Sequence, residues 1–544
     1  LNSAGQENQD QAKETPFFYV LDGFSKRKEI LLKFHQKKKA SMKKSFAQNQ
    51  GFYTLLGGLS FFYLLIIWTT EFLPMQDLPQ HLFQTLAYTL KGSDHPWTDL
   101  YDIGVVFGPY SFFYYFTAFS YYILGDMLLA GKLYVSFCFL GFVLLALSAS
   151  ELNKKRGSLW PILLILPIFF NQTYFLGFTG YILAVPISLY LLLEYYKILI
   201  EKKEVTKTLH TLLVLGHILL FLSHPHPFAI YLFLVSILLF WSYFKKNKSL
   251  LLFLYPVISG ISFIIWFYLK ENPASHLQPF SSLFRWWPFK KNLFYLFQFF
   301  TGMKISENLD FISIFFWSLT FLAPLYFILK KERIKNHLRL IFFVVFSFFL
   351  LLYFLAPMYI YPTYTYVNTR LAPFVYLAFV LFLSQIKSNK FTSAATVLAS
   401  FYFAFFNFFV HRGVSKEISE IKESFEALPK GSTFLPLLFS SDSKFLDSSF
   451  FFETHTHVHY YYHIQTQDGV SFALFQNPLQ AVRFKNPEAA LPIPGGGRYF
   501  SWRRHGELYP YILVRHPTEY FYRTKPVYFK EVKQSGPWHV FERL

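Results

Sequence analysis

Cysteine is almost missing from this chain: Cys138 is the one cysteine in 544 residues, and it lies inside an apolar run. No internal disulfide can form, and cysteine usage is silent on redox compartment. Acidic residues are scarce beside basic ones, 32 Asp and Glu against 51 Lys and Arg, a formal charge of +19. In a soluble chain that excess would point to nucleic acid. Here much of it sits in short clusters flanking apolar runs, where it reports topology, so no nucleic-acid partner is expected. A Gly-rich phosphate loop is also lacking, because "PGGGR" at 494–498 has neither the strand nor the helix such a motif needs. There is no internal repeat, and only the polar residues 1–14 read as disordered. Residues 1–51 hold no apolar core long enough for a cleaved signal peptide, so the first span is expected to act as an uncleaved signal.

What the chain does have is apolar surface: 53% hydrophobic residues, 22% aromatics and a positive mean hydropathy, gathered into runs of membrane-spanning length. This is the composition of a polytopic helical membrane protein. Twelve segments are each about long enough to cross: 52–70, 104–125, 127–150, 159–176, 180–200, 208–224, 228–244, 250–269, 311–329, 339–356, 373–387 and 391–410. Lys37, Lys38, Lys39, Lys43 and Lys44 set the N-terminus inside; Lys202, Lys203, Lys245, Lys246, Lys330, Lys331, Arg333 and Lys390 mark later cytoplasmic turns. Lys154, Lys155 and Arg156 also look cytoplasmic, which two full crossings between 104 and 150 would forbid. Either one of those segments is re-entrant or half-crossing, or the loop breaks a statistical rule. An odd number of crossings, 11 or 13, follows from the safer loops and puts the C-terminus outside.

The expected organisation is a basic cytoplasmic segment 1–51, a transmembrane domain 52–410 with long outer loops at 71–103 and 270–310, and a small extracytoplasmic α/β domain at 411–544. In the first loop "PQHLFQTLAYTLKG" spaces Leu82, Phe83, Leu86, Ala87 and Leu90 as an amphipathic helix lying on the membrane surface. In the last domain "VSKEISEIKESFEALPKG" reads as a helix, "STFLPLLF", "VSFALF", "YPYILVRH" and "WHVFERL" as strands, and "QDG" as a turn.

Four stretches carry candidate chemistry. In "EFLPMQDLPQHLFQ" at 71–84, Pro79 suits a first helical turn, which puts Asp77 just before a helix and His81 within it. The carboxylate either faces what the bundle encloses or is a helix-dipole partner. In "LSHPHPF", His224 and His226 alternate with prolines at the outward end of a span, as intramembrane polar groups or as interfacial histidines facing water. Arg370 opens a span in "YVNTRLAPF"; burial there costs on the order of 2.5 kcal/mol or more, so it should snorkel or pair, and a phosphate suits its two-pronged guanidinium. Arg285 and Lys290, in the outer loop "FRWWPFKKNLFYLFQFF", are basic where the rule disfavours charge, which an anionic lipid head group would explain. The alternating His455, His457 and His459 of "ETHTHVHYYYH" read as an exposed strand face, and no metal is assigned to them.

Taken with "YFLGFTGYILAVP" at 174–186, "YPYILVRH" and "GPWHVFER", these motifs resemble the GT-C class of membrane glycosyltransferases, in its bacterial, substrate-undefined branch. The resemblance implies a multi-pass protein of the bacterial inner membrane. It would take a sugar from a polyprenyl-phosphate carrier to an extracytoplasmic acceptor with inversion. Asp77 matches the acidic residue of that class's first outer loop and would be the base. Arg370 would clamp the phosphate, and His81, His224 and His226 would line or polarise the site. Family members often carry an acidic pair where this chain has Asp77 and His81, which leaves a divalent metal open. Two other readings use the same residues without bond chemistry: a lipid or polysaccharide transporter, and a non-catalytic membrane subunit whose outer domain binds a partner.

Overall fold

The computed structural model describes residues 50–105, 107–153, 158–244, 250–269, 284–298, 337–360, 364–386, 390–446, 453–473 and 481–544. The apolar segment 311–329 and the basic clusters at 37–44, 154–156, 245–246 and 330–333 lie outside the described residues. Contacts divide the chain into two units, Leu1–Gly57 and Gly58–Leu544.

The fold is mainly helical. Among the described residues six helices are long and apolar enough to cross a membrane: Gln50–Thr69, Met127–Asn153, Thr179–Leu199, Pro225–Phe244, Leu338–Leu355 and Lys390–Phe425. Thr179–Leu199 is the central one, with 94% of its apolar window buried against 28% for Leu338–Leu355. Outer helices turn large apolar side chains such as Phe61, Phe240, Ile264 and Leu351 outward, as a lipid-facing surface would. Met127–Asn153 starts where Asp126 accepts from the backbone N–H groups of Leu128 and Leu129 at 2.7 and 2.9 Å, satisfying two of the donors a helix start leaves over.

Three expected spans take another form. Ser111–Leu124 has 14 residues, a length of about 21 Å against a hydrocarbon core of about 30 Å. Ala372–Ser384 has 13 residues and falls short for the same reason. The segment 159–176 is no single α-helix: 3-10 turns at Trp160–Ile165 and Pro167–Phe169 precede Gln172–Phe175. Pro161 and Pro167 each withhold an N–H, and Asn171 restarts the helix by accepting from Thr173 N–H at 2.7 Å. Protein buries this irregular backbone from Pro161 to Gly177.

The expected boundary near 411 falls inside one helix, Lys390–Ser419, into which the predicted helix from Val414 merges. Beyond it a four-stranded sheet runs in the order Phe434–Leu438, Tyr511–Arg515, Trp538–Arg543, Phe529–Ser535. The first pair is parallel and the others antiparallel. Pro436 is admissible because its strand lies at the sheet edge. Leu435, Ile512, Val514, Phe529 and Phe541 pack with Trp502 and Phe521 as its core. Three strands coincide with the sequence reading; "VSFALF" is no strand over its described part, 470–473. Phe529–Ser535 was missed because Lys530, Glu531 and Lys533 make "FKEVKQS" look like a solvated stretch, although it pairs along the Trp538–Arg543 strand.

The segment 71–103 is stitched to the C-terminal part. Tyr101–Ile103 pairs antiparallel with Val482–Phe484, Arg483 meets Asp102 at 2.9 Å, and Trp97 Nε1–H donates to the Gly469 carbonyl at 2.6 Å. The predicted surface helix is therefore buried. Leu78–Thr89 hides Gln80, Gln84 and Thr85 as well as its apolar residues, because Tyr114 and Thr117 cover one side and Tyr460 the other, with its ring 5.0 Å from that of Phe83.

Candidate functional site

Asp77 is the N-cap residue of Leu78–Thr89, yet its side chain makes no capping hydrogen bond. The carboxyl is 29% exposed. Its backbone is pinned: Gln76 N–H donates to the Phe175 carbonyl at 2.8 Å and Asp77 N–H to the Leu176 carbonyl at 3.3 Å. Gly177, at φ +83°, allows this close approach, since a Cβ there would fall 2.7 Å from Asp77 N.

Burial pushes the Asp77 carboxyl up to about 7; a hydrogen bond from Gln76 and the Arg370 guanidinium pull it down, and Glu453 pushes it up. A carboxyl so placed exchanges protons near neutral pH, the property a general base needs. One turn on, His81 has Nδ1 3.0 Å from the Tyr114 hydroxyl. The Tyr114 proton goes to Gln84 Oε1 at 2.9 Å, so His81 Nδ1 is the donor and Nε2 carries the lone pair. Burial lowers the His81 imidazole to about 4. It is a neutral wall of the site near pH 7 and brings no positive charge to a phosphate.

Arg370 lies in the 3-10 turn Thr369–Leu371. Its guanidinium stacks 4.4 Å above the Phe178 ring, its carbonyl accepts from the Tyr181 hydroxyl, and its Nη1 is 3.2 Å from His224 Nε2. His224 is an extended residue between the Lys207–Ser223 and Pro225–Phe244 helices. The second helix starts at Pro225, earlier than the expected 228, because proline is welcome at a first helical position. His224 is buried, so the water-facing alternative does not apply to it. Its Nδ1 faces the His226 backbone N–H at 3.1 Å, so each ring nitrogen of His224 has an N–H directed at it. Arg370 Nε is buried without a hydrogen-bond partner, which leaves the guanidinium a donor for an oxygen anion. His226 is half-buried, its ring 6.1 Å from that of Tyr181.

The structure therefore brings together Asp77, His81, Arg370, His224 and His226. Arg285 and Lys290 are exposed, on the Phe284–Arg285 strand and the Phe289–Gln298 helix, and neither pairs with any of the five.

The histidine run is the main correction. Residues 454–459 are turns leading into the Tyr460–Thr466 helix, with His455 and His459 buried. An exposed strand fails physically because three tyrosines follow the histidines, and Tyr461 lies against Phe72, ring centroids 4.5 Å apart. His457 Nε2 reaches 3.5 Å from Asp77 Oδ1. Glu453 comes with it, its N–H donating to Gln76 Oε1 at 2.9 Å. Sequence reasoning passed over both as members of the site; the density of aromatics around the run was the available signal. Among the described residues no three His, Cys, Asp or Glu side chains stand close enough to share a metal ion. No family model, curated protein or solved structure matches this chain.

Proposed function

We propose that this chain is an inverting membrane glycosyltransferase that moves a sugar from a polyprenyl-phosphate carrier to an extracytoplasmic acceptor. The observation that supports this reading is one cluster holding a carboxyl that burial pushes up to about 7, Asp77, and a guanidinium whose buried Nε has no hydrogen-bond partner, Arg370. Asp77 takes the acceptor hydroxyl proton as that oxygen attacks the anomeric carbon. The bond from that carbon to the carrier phosphate breaks, and the phosphate leaves with the electron pair. Arg370 hydrogen-bonds the departing oxygens, and His81, His224 and His226 line the space.

In this proposal residues 52–410 form a membrane domain in the bacterial inner membrane, with the N-terminus cytoplasmic. The sheet-bearing C-terminal part lies outside, and Arg285 and Lys290 meet lipid head groups away from the reacting carbon. The full chain in proteoliposomes, supplied with polyprenyl-phosphate-linked sugars and a membrane extract as the source of acceptor, should release the carrier phosphate. Absence of release from every donor tried, by protein that is folded, would sink the proposal.

A further inference from the structure

The contact between His457 and Asp77 joins parts of the chain 380 residues apart, and the segment that makes it is held from several sides. Glu453 N–H is bonded to Gln76, the residue beside Asp77. Thr456 closes the turn, its N–H on the Glu453 carbonyl at 2.8 Å and its hydroxyl on Glu453 Oε2 at 3.0 Å. His455 Nδ1 is 3.0 Å from the Ser441 carbonyl, and past the histidines Tyr460 and Tyr461 pack on Phe83 and Phe72. These contacts fix the backbone on either side of His457.

Its tautomer follows from what surrounds the ring. Nδ1 is buried without a hydrogen-bond partner. A buried unpaired N–H is less tolerable than a buried lone pair on a ring nitrogen, so the proton belongs on Nε2, the nitrogen that faces the Asp77 carboxyl. At 3.5 Å the contact is longer than a tight hydrogen bond and shortens with a small shift of either side chain.

We infer that His457 is a positioning residue that holds the Asp77 carboxylate through Nε2–H, so that the outer-loop base works only with the C-terminal segment seated on it. The assignment rests on the reading of Asp77 as the base. Other groups act on the same carboxyl and set the background: Arg370 and Glu453 by charge and Gln76 by a hydrogen bond, and Tyr114 and Tyr366, which feel the Asp77 charge in turn. His81 acts on His457 from the next turn of the Leu78–Thr89 helix, and His459 adjoins His457 on the segment itself. None of these other than His457 presents a ring N–H to Asp77 Oδ1.

The test is the pH dependence with which dicyclohexylcarbodiimide labels Asp77 in the full-length, detergent-solubilised protein, read by site-resolved mass spectrometry. The reagent attacks the protonated carboxyl. Labelling should fall with rising pH with a midpoint near 7 in the parent protein. In His457→Phe and His457→Ala the midpoint should move up by about one pH unit, since loss of a donor disfavours the carboxylate. The acid limb of any transfer activity should move with it, with a loss in kcat larger than the change in KM. A structural role alone would lower yield or melting temperature and leave the midpoint in place. An unchanged midpoint in whichever variant is recovered folded overturns the inference. Absence of sugar transfer by the parent protein would defeat the glycosyltransferase reading instead, and the labelling still decides the role of His457.

Discussion

Arg370 Nη1 stands 3.2 Å from His224 Nε2, and the His226 backbone N–H stands 3.1 Å from the other ring nitrogen. Arg370 Nε is buried without a hydrogen-bond partner, so the guanidinium keeps a donor for a bound oxygen. Arg370→Gln removes the charge and keeps a polar side chain. Hydrogen bonds to charged groups contribute about 1.5–3 kcal/mol, so the KM for the phosphate-linked donor should rise about 10- to 100-fold. Steady-state kinetics against donor concentration checks this; an unchanged KM removes Arg370 from phosphate recognition.

Asp77→Asn keeps the shape of the side chain and abolishes its basicity. Transfer should drop by about 10²- to 10⁴-fold, the usual contribution of a general base. The melting temperature should stay near that of the parent, because the Asp77 side chain caps nothing. Full activity in the variant would assign the base elsewhere.

The same carboxyl sets a pH dependence. Burial holds Asp77 up to about 7, and the ionised form is the one that accepts a proton. The rate of transfer should therefore rise with pH through about 7 and be lost progressively below it. A rate profile flat from pH 5 to 8 is incompatible with this assignment.

Gly177 makes room for that carboxyl. An alanine there would hold an unfavourable φ of +83° and press its Cβ to 2.7 Å from Asp77 N. Gly177→Ala should destabilise by about 1–3 kcal/mol and lower activity through displaced Asp77. Thermal unfolding in detergent alongside transfer assays reads both, and a variant with parental stability and activity contradicts the close approach.

Near the other end of the Thr179–Leu199 helix from Tyr181, Lys197 is buried between Glu194 at 2.7 Å and Glu151 at 2.8 Å, with Ser148 at 2.9 Å. Lys197→Met leaves Glu194 buried with Lys203, at 3.2 Å, as its remaining cation. A buried pair broken on one side loses about 3–5 kcal/mol, and the surviving lysine should hold the loss to the lower end. Thermal unfolding tests this, and Lys197→Met combined with Glu194→Gln should recover part of the loss.

Much of this molecule was legible one residue at a time. The apolar runs mark the six long helices, because a helix long and apolar enough to span a membrane leaves its signature in consecutive residues. Pro79 placed Asp77 at a helix start, although the helix opens at Leu78, one residue early. Alternation and turn residues located three of the four strands in the C-terminal sheet. The spans at 104–125, 159–176 and 373–387 were overestimated, since apolarity records burial and cannot tell lipid from protein. The same ambiguity turned the Leu78–Thr89 helix into a surface helix, when its polar Gln84 and Thr85 are buried against Tyr114 and Thr117.

By itself the sequence determined the class of molecule and which side chains carry chemistry, because helix propensity, hydropathy and the chemistry of Asp, Arg and His are local properties. Tertiary structure alone decided which of them meet. Asp77, His224, Arg370 and His457 come from four distant stretches, and nothing periodic in the chain encodes their approach. His457 shows this most clearly: alternation with threonine and valine suggested an outward strand face, while the packing of Tyr460 and Tyr461 on Phe83 and Phe72 turned it inward onto Asp77. Burial of those aromatic rings is a sum over many long-range contacts, and that sum exists only in the folded chain.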